Sequence, residues 1–518
     1  MKIFCTASTD TYITDKIING QFRVEDANVG RAGTLDLFKL WGETKLNSSG
    51  SLNELSRLLI KFDYSKIQNL TSSKIDLNSS NFKAKMKLFD MRSGAAVPAN
   101  FSVAVFPLSQ SFDEGVGRDV VSFGDIDASN YLTASTLAGA AVSWNVSGAN
   151  GVGTLGDSSI DIISQANFGD GNGLGGIFSS QKFVQGTEDL SVDVTRVVSA
   201  TVAGQMPNFG FRVSFSGSDE TDTKTRFVKR FASRHVSDAT LRPRVEVSFD
   251  DSLQDNHSNF FFDISGSLFL NSFGRSSSAN IVSGSALTSI VGTNCLMLKL
   301  KSGSYSYVTT ASQASMGTID SDGKNFMTGV YSASFAIPSN DSTTVDFGTT
   351  LAQMVARTGS ITFEEYWYSL DKTVGYHTGS LTIKRTPRYS ANFISQEPII
   401  HVTNLNHEYH VTDQPRLRIF GRDIKNEQNS PKKIPISLFP IIFDEVYYRV
   451  RDMDSGRIVV NFGETDNSTR VSTDSQGMFF DFHMDVLPQG RAFLFDFLVI
   501  NRGTRTIVRD PQAQFAVR

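Results

Sequence analysis

The chain has 518 residues, 40% of them hydrophobic, and a formal net charge of −4 with both signs interspersed. That length exceeds one core and gives roughly three or four domains, while the charge pattern supplies no basic surface for nucleic acid. Two cysteines, Cys5 and Cys295, are too few for a disulfide framework or a cysteine zinc site and read as buried thiols.

Phe is the dominant aromatic, with 40 copies against 13 Tyr and 3 Trp. On alternating positions Phe fills the core face of strands, and the runs between are rich in Ser, Thr, Asn, Asp and Gly, as turns require. The expectation is an all-β chain of tandem β-sandwiches.

In chain order, "TYITDKIING" and "DLFKLWGET" alternate, and "RLLIKFDYSKI" follows. In that segment Leu58, Ile60, Phe62 and Tyr64 form one face, with Leu59, Lys61 and Asp63 on the other. "FKAKMKLFDM" places Phe82, Ala84, Met86 and Leu88 together, and "NFGFRVSFSG" carries a period-2 stripe of Phe209, Phe211, Val213 and Phe215. "RPRVEVSFDD" closes the region with Val245, Val247 and Phe249. The Gly- and Asn-rich stretch 147–176 reads as a long surface loop.

"DDSLQDNHSN" (250–259) is a polar break, giving a first domain over 1–250. A second β domain, 251–395, runs through "LMLKLKSGSYSYV", "YSASFAIP" and "SITFEEYWYSL". "TTLAQMVARTG" (349–359) is the best helix candidate, and "TPRYSANFISQEP" marks the second boundary. The last segment, 396–518, has an immunoglobulin-like pattern of aromatic strands, with a hairpin signal at "DMDSGRI" (452–458) and a turn at "LPQG" (487–490).

Few constellations point to chemistry. His401, His407 and His410 lie within ten residues, and His407 with His410 and Glu408 could hold a metal. In a strand, however, His407 and His410 face opposite sides, so they read as linker residues. "DGNG" (170–173) and "DSDGKN" (320–325) have the Asp/Asn/Gly alternation of calcium loops but lack the closing glutamate. Glu364 and Glu365 are strand neighbours and cannot flank one glycosidic bond. Trp367 with Tyr366 and Tyr368, or Trp41, could stack on a sugar ring or a partner surface; such aromatics also fill core edges. No P-loop, nucleophile elbow or GxGxxG follows a strand. The reading is therefore not an enzyme, with no catalytic residue, metal or cofactor.

No apolar run approaches the ~20 residues that span a bilayer, and "MKIFCTASTDTYI" holds no signal-peptide core. The expectation is a chain made in a cytoplasm without a membrane partner.

"RLLIKFDYSKI" followed by "FKAKMKLFD", with "DTYI" at 10–13, "LSVDVTRVVS" at 190–199 and "LRPRVEVSFDD" at 241–251, resembles the DNRLRE family over roughly residues 6–250. The family implies a jelly-roll β-sandwich similar to carbohydrate-binding modules; the long Gly-rich insertion and the loosely matching "VSWNV" (142–146) depart from it. "DEVYYRVRDMDSGRIVVNF" (444–462) and "DNSTRVSTDSQGMFFDFHMDVLPQGRAFLFDF" (466–497) resemble the carboxyl ends of virion structural proteins of T4-like tailed phages, cyanophages especially. That resemblance implies a virion component in baseplate, neck or fibre attachment, partnered by other virion subunits in homo- and hetero-assembly. The alternatives are a carbohydrate-binding adhesin for host surface glycan and a capsid decoration protein.

Overall fold

A computed structural model of the protein describes residues 1–44, 53–71, 74–92, 94, 96–124, 127–169, 171–275, 278–283, 287–315, 326–386, 397–423, 441–501 and 503–518. The chain is almost entirely β and divides into two units. One comprises residues 3–69 and 83–248; the other comprises 1–2, 70–82 and 249–518. The expected break near 250 lies beside the Ser248/Phe249 division. The expected boundary near 395 lies inside one unit, in a stretch mostly outside the described residues.

The first unit is a β-sandwich built on a ten-stranded sheet. Its strands are β1 (Lys2–Thr14), β2 (Thr34–Trp41), β3 (Asn53–Phe62), β4 (Lys83–Leu88), β5 (Phe101–Pro107), β9 (Ser179–Phe183), β10 (Leu190–Asp193), β11 (Phe211–Phe215), β12 (Arg226–Ala232) and β13 (Arg244–Ser248). The main path runs β9-β5-β11-β3-β1-β13-β4-β10, with β2 joining β3 to β12. An irregularity between Ala7 and Thr9 interrupts the antiparallel ladder that β1 makes with β3, which pairs Ala7 with Phe62 on one side and Thr9 with Lys61 on the other. Alternation decides the core: Leu58, Ile60, Phe62 and Tyr64 are all buried, as are Ala84, Met86 and Leu88, and Val245 and Val247; Phe82 and Phe249, which end the same stripes, are buried too and belong to the second unit.

Two expectations are corrected here. Leu59, on the second face of β3, is also fully buried. The reason is the Gly-rich stretch, which is not simply a surface loop. It contributes β6 (Val152–Thr154), β7 (Ile162–Ala166) and β8 (Gly175–Gly176), a small three-stranded sheet. Ala149 and Ile162 pack with Leu59, Ile13, Leu108 and Trp144 in one apolar cluster. The Phe209–Phe215 stripe is also interrupted. Gly210, at φ 97° and so close to Ile60 that a Cβ would meet its carbonyl oxygen at 2.5 Å, turns the chain, and Phe209 joins the outer cluster instead.

The second unit holds two β assemblies. A seven-stranded sheet is ordered β14 (Phe260–Phe261), β20 (Gly375–Lys384), β19 (Ser360–Tyr368), β16 (Leu296–Ser302), β17 (Tyr305–Ser315), β18 (Phe326–Phe335), β15 (Gly266–Asn271). Its ends meet: Phe262 N–H donates to Lys384 O at 2.9 Å and Asp263 N–H to Ile337 O at 3.0 Å, wrapping the sheet around a core that includes Leu298, Leu300, Tyr331, Phe363 and Trp367. The expected helix forms as α2 (Leu351–Thr358), after α1 (Thr195–Val202) of the first unit. It has a Thr350/Gln353 capping box and Gly359 in the left-handed region beyond its end.

The last assembly is the immunoglobulin-like sandwich. A four-stranded sheet, β21 (Pro398–Val402), β23 (Arg416–Asp423), β27 (Gly477–Asp481), β26 (Ser472–Asp474), packs on a five-stranded one. The latter is ordered β22 (Glu408–Tyr409), β29 (Thr504–Val517), β28 (Arg491–Asn501), β24 (Glu445–Asp452), β25 (Ile458–Val460). The expected hairpin is the β24–β25 pair. Aromatic rings knit the layers: Phe480 meets Tyr448 at 4.4 Å and Phe495 at 5.3 Å between centroids.

Candidate functional site

The polar break at 250–259 turns out to be a seam within the second unit. Thr473 N–H donates to Leu253 O at 2.8 Å, Gln254 pairs in parallel with Thr473 of β26, and Asn256 N–H donates to Ser267 O of β15 at 2.9 Å. An extended segment thereby joins the edge strands of both assemblies. Its composition, without apolar alternation, reads as linker because polar groups do the joining: besides the backbone bonds, Gln254 Nε2 donates to Val471 O at 3.2 Å and Asn256 Oδ1 accepts the Ser267 N–H at 2.9 Å.

Beside the seam opens a cavity of about 420 Å³. Phe269, Phe273, Met327 and Val330 form an apolar wall; Asp251, Asp255, Asp474, Asp481, Lys74 and Arg416 supply charge. These charges are tied. Asp251 pairs with the Met1 amino group at 2.6 Å, Asp474 with Arg418 at 2.7 Å, and Asp481 with Arg416 at 2.8 Å and Lys74 at 3.4 Å. The Phe479 ring lies 4.2 Å from the Arg416 guanidinium. Burial opposes ionisation of Asp481, but hydrogen bonding to Arg416 and the charges of Lys74 and Arg416 outweigh it and hold its pKa below the ordinary value.

Behind Asp255 stands an ion triad. His257 Nδ1 lies 2.6 Å from Asp255 Oδ1, and its Nε2 lies 3.0 Å from Glu365 Oε2. Both carboxylates are buried. Burial alone would lower the His257 pKa; hydrogen bonds to Asp255 and Glu365, and their charges, more than reverse this and raise it to about 10. The imidazolium is a fixed cation at neutral pH, unsuited to general-base work.

The aromatics singled out from the sequence divide. Trp367 is 1% exposed and donates its indole N–H to Glu365 Oε1, so it serves the core and cannot stack on an external ring. Tyr366 and Tyr368 are half-buried on the opposite face, and Tyr366 OH donates to Glu364 at 2.7 Å. Trp41, at the end of β2 in the first unit, is half-buried, and its N–H donates to Thr225 Oγ1 at 3.1 Å. Trp144 is buried, donating to Asn130 O at 2.9 Å. Glu365 is buried and Glu364 exposed, as strand alternation requires. His401, His407 and His410 are all exposed, and His401 pairs with Asp510 at 2.9 Å. Asp170 and residues 320–325 of the calcium-like loops lie outside the described residues. His257 and Lys74 had no sequence signal beyond a lone His in an acidic run.

No known family and no curated protein matches the chain. Among solved structures, it is similar to the FN1-FN3 domains of chicken CNTN1, with 9% identity over 57% of this chain and 87% of that one, at a TM-score of 0.14. It is also similar to a putative membrane anchored protein from Corynebacterium diphtheriae (10% identity, 100% and 97% of the chains, TM-score 0.14). A third is Salmonella alpha-2-macroglobulin reacted with methylamine (6%, 100% and 28%, TM-score 0.15). The all-β class stands on the observed sheets themselves.

Proposed function

We propose that this chain is a non-enzymatic structural protein of a tailed-phage virion, tail-associated and acting through protein contacts. The observation that carries the non-catalytic part is the groove's chemistry. Asp251, Asp255, Asp474 and Asp481 are each held by an intramolecular cation, which suits a fixed recognition surface and leaves no poised acid–base pair. The virion assignment rests on the resemblance of residues 444–462 and 466–497, stretches that supply β24–β28. The test is a peptide map of purified particles. Peptides from the whole chain at a fixed copy number are expected; particles lacking it would end the proposal.

A second reading, a glycan-binding adhesin, is favoured by one feature: Phe273, 70% exposed, stands on the groove wall beside charged hydrogen-bonding groups, the combination that binds sugar rings. Glycan-array binding by the full chain, lost in Phe273→Ala, would support it; no binding by the wild type would dismiss it.

A further inference from the structure

In the first unit, three residues far apart in sequence converge away from the groove. Asp10 lies on β1, paired with Ile60 just beyond the strand's irregularity. Glu114 comes from the segment after β5, and His235 follows β12. One donor atom from each lies within 4.8 Å of the others. Glu114 Oε1 accepts the Asp10 N–H at 3.0 Å, and His235 Nε2 is 3.4 Å from it. The Glu114 loop is braced by Asn28, which donates to Glu114 O at 2.9 Å and accepts the Gly117 N–H at 2.8 Å.

Two features set this cluster apart from an ordinary ion pair. Asp10 is 1% exposed; its Oδ2 accepts the Arg234 N–H at 2.6 Å, but its buried Oδ1 has no hydrogen-bond partner among the described residues. A buried, unpartnered carboxylate oxygen is costly unless something satisfies it. The second feature is a cation already in place: the Arg234 guanidinium grips both oxygens of Glu114 through Nε and Nη2. Arg234 is 32% exposed at its side chain, so it has a path out to water.

We propose that Asp10, Glu114 and His235 bind one divalent transition-metal ion of the zinc class, in exchange for the Arg234 guanidinium. The donor set of one imidazole and two carboxylates selects this class over calcium or magnesium, which take oxygen ligands. Ligand atoms around a tetrahedral ion with bonds of ~2.0–2.1 Å stand roughly 3.4 Å apart. The His235–Glu114 pair already stands at 3.4 Å, and the widest separation, at most 4.8 Å, has to close by no more than about 1.4 Å. The ion would satisfy Asp10 Oδ1 and clip three distant chain segments together. Three protein ligands leave a fourth position for water.

The experiment is calorimetric titration of the metal-stripped full chain with zinc chloride, with thermal unfolding read in parallel. Saturable binding of one equivalent and a Tm raised by several degrees are expected, since an ion that binds only the folded state stabilises it. His235→Gln, at an exposed position that should leave folding intact by circular dichroism, is expected to weaken binding at least tenfold. Arg234→Gln is expected to tighten it several-fold, because the competing cation is gone. A His407→Gln/His410→Gln control is expected to change neither. No saturable binding to either the wild type or Arg234→Gln would overturn the proposal. So would binding that survives His235→Gln, or that weakens in Arg234→Gln.

Discussion

Replacing His257 with Gln probes the triad behind the groove. The imidazole pKa is about 10 in the folded chain against an ordinary value of 6.5, so the folded state holds this proton more tightly than the unfolded one. Below pH 6.5 both states are protonated and the stabilisation is fully present; it is lost as pH rises toward 10. Linkage over that interval gives about 5 kcal/mol at pH 6, about 3 at pH 8 and under about 1 at pH 9.5. His257 is 13% exposed at its side chain and Glu365 1%, so solvent screening reduces these figures little. The substitution also strands two buried carboxylates, consistent with a loss of roughly 3–5 kcal/mol near pH 6. Urea unfolding at pH 6, 8 and 9.5 would follow Trp367 fluorescence in a Trp41→Phe/Trp144→Phe background. A wild-type minus variant difference that shrinks with pH is expected. A difference under about 1 kcal/mol at pH 6, or one that does not change with pH, would refute the charged triad.

In the first unit, Lys229 has a fully buried side chain whose ammonium bonds the Asp90 carboxylate, Gly186 O and Glu188 O. Lys229→Met is expected to cost about 3–5 kcal/mol by stranding Asp90, read by urea unfolding through Trp144. In the immunoglobulin-like core, Phe480→Ala is expected to cost about 3–5 kcal/mol through the cavity it leaves among Tyr448, Phe495 and Phe497, measured the same way through Trp367. At α2, Thr350→Ala and Gly359→Ala should each cost about 1 kcal/mol, the first by removing the cap and the second by forcing a Cβ at φ 74°. Asn256→Pro removes the N–H that reaches Ser267 O and should open the seam. Faster proteolytic cleavage within 250–259 is the expected result.

Local rules made much of the scaffold legible. Period-2 alternation picked out Leu58, Ile60, Phe62 and Tyr64, and helical periodicity singled out 349–359 as the best candidate for a short helix, because both patterns act between residues a few positions apart. Leu59 was ambiguous for the opposite reason: its burial depends on residues 108–162 folding back over β3, which no window around position 59 contains. Trp367 had two readings in the sequence, core filler or exposed platform, and the curled seven-stranded sheet settled it inward. The seam, the His257 triad and the Asp10–Glu114–His235 cluster were invisible. Each joins residues more than one hundred positions apart through backbone hydrogen bonds or charges, which leave no periodic trace. The sequence alone determined which residues shun water and where the chain turns. Only the tertiary structure decided which polar groups meet, because a charge finds its partner by where the sheets bring it.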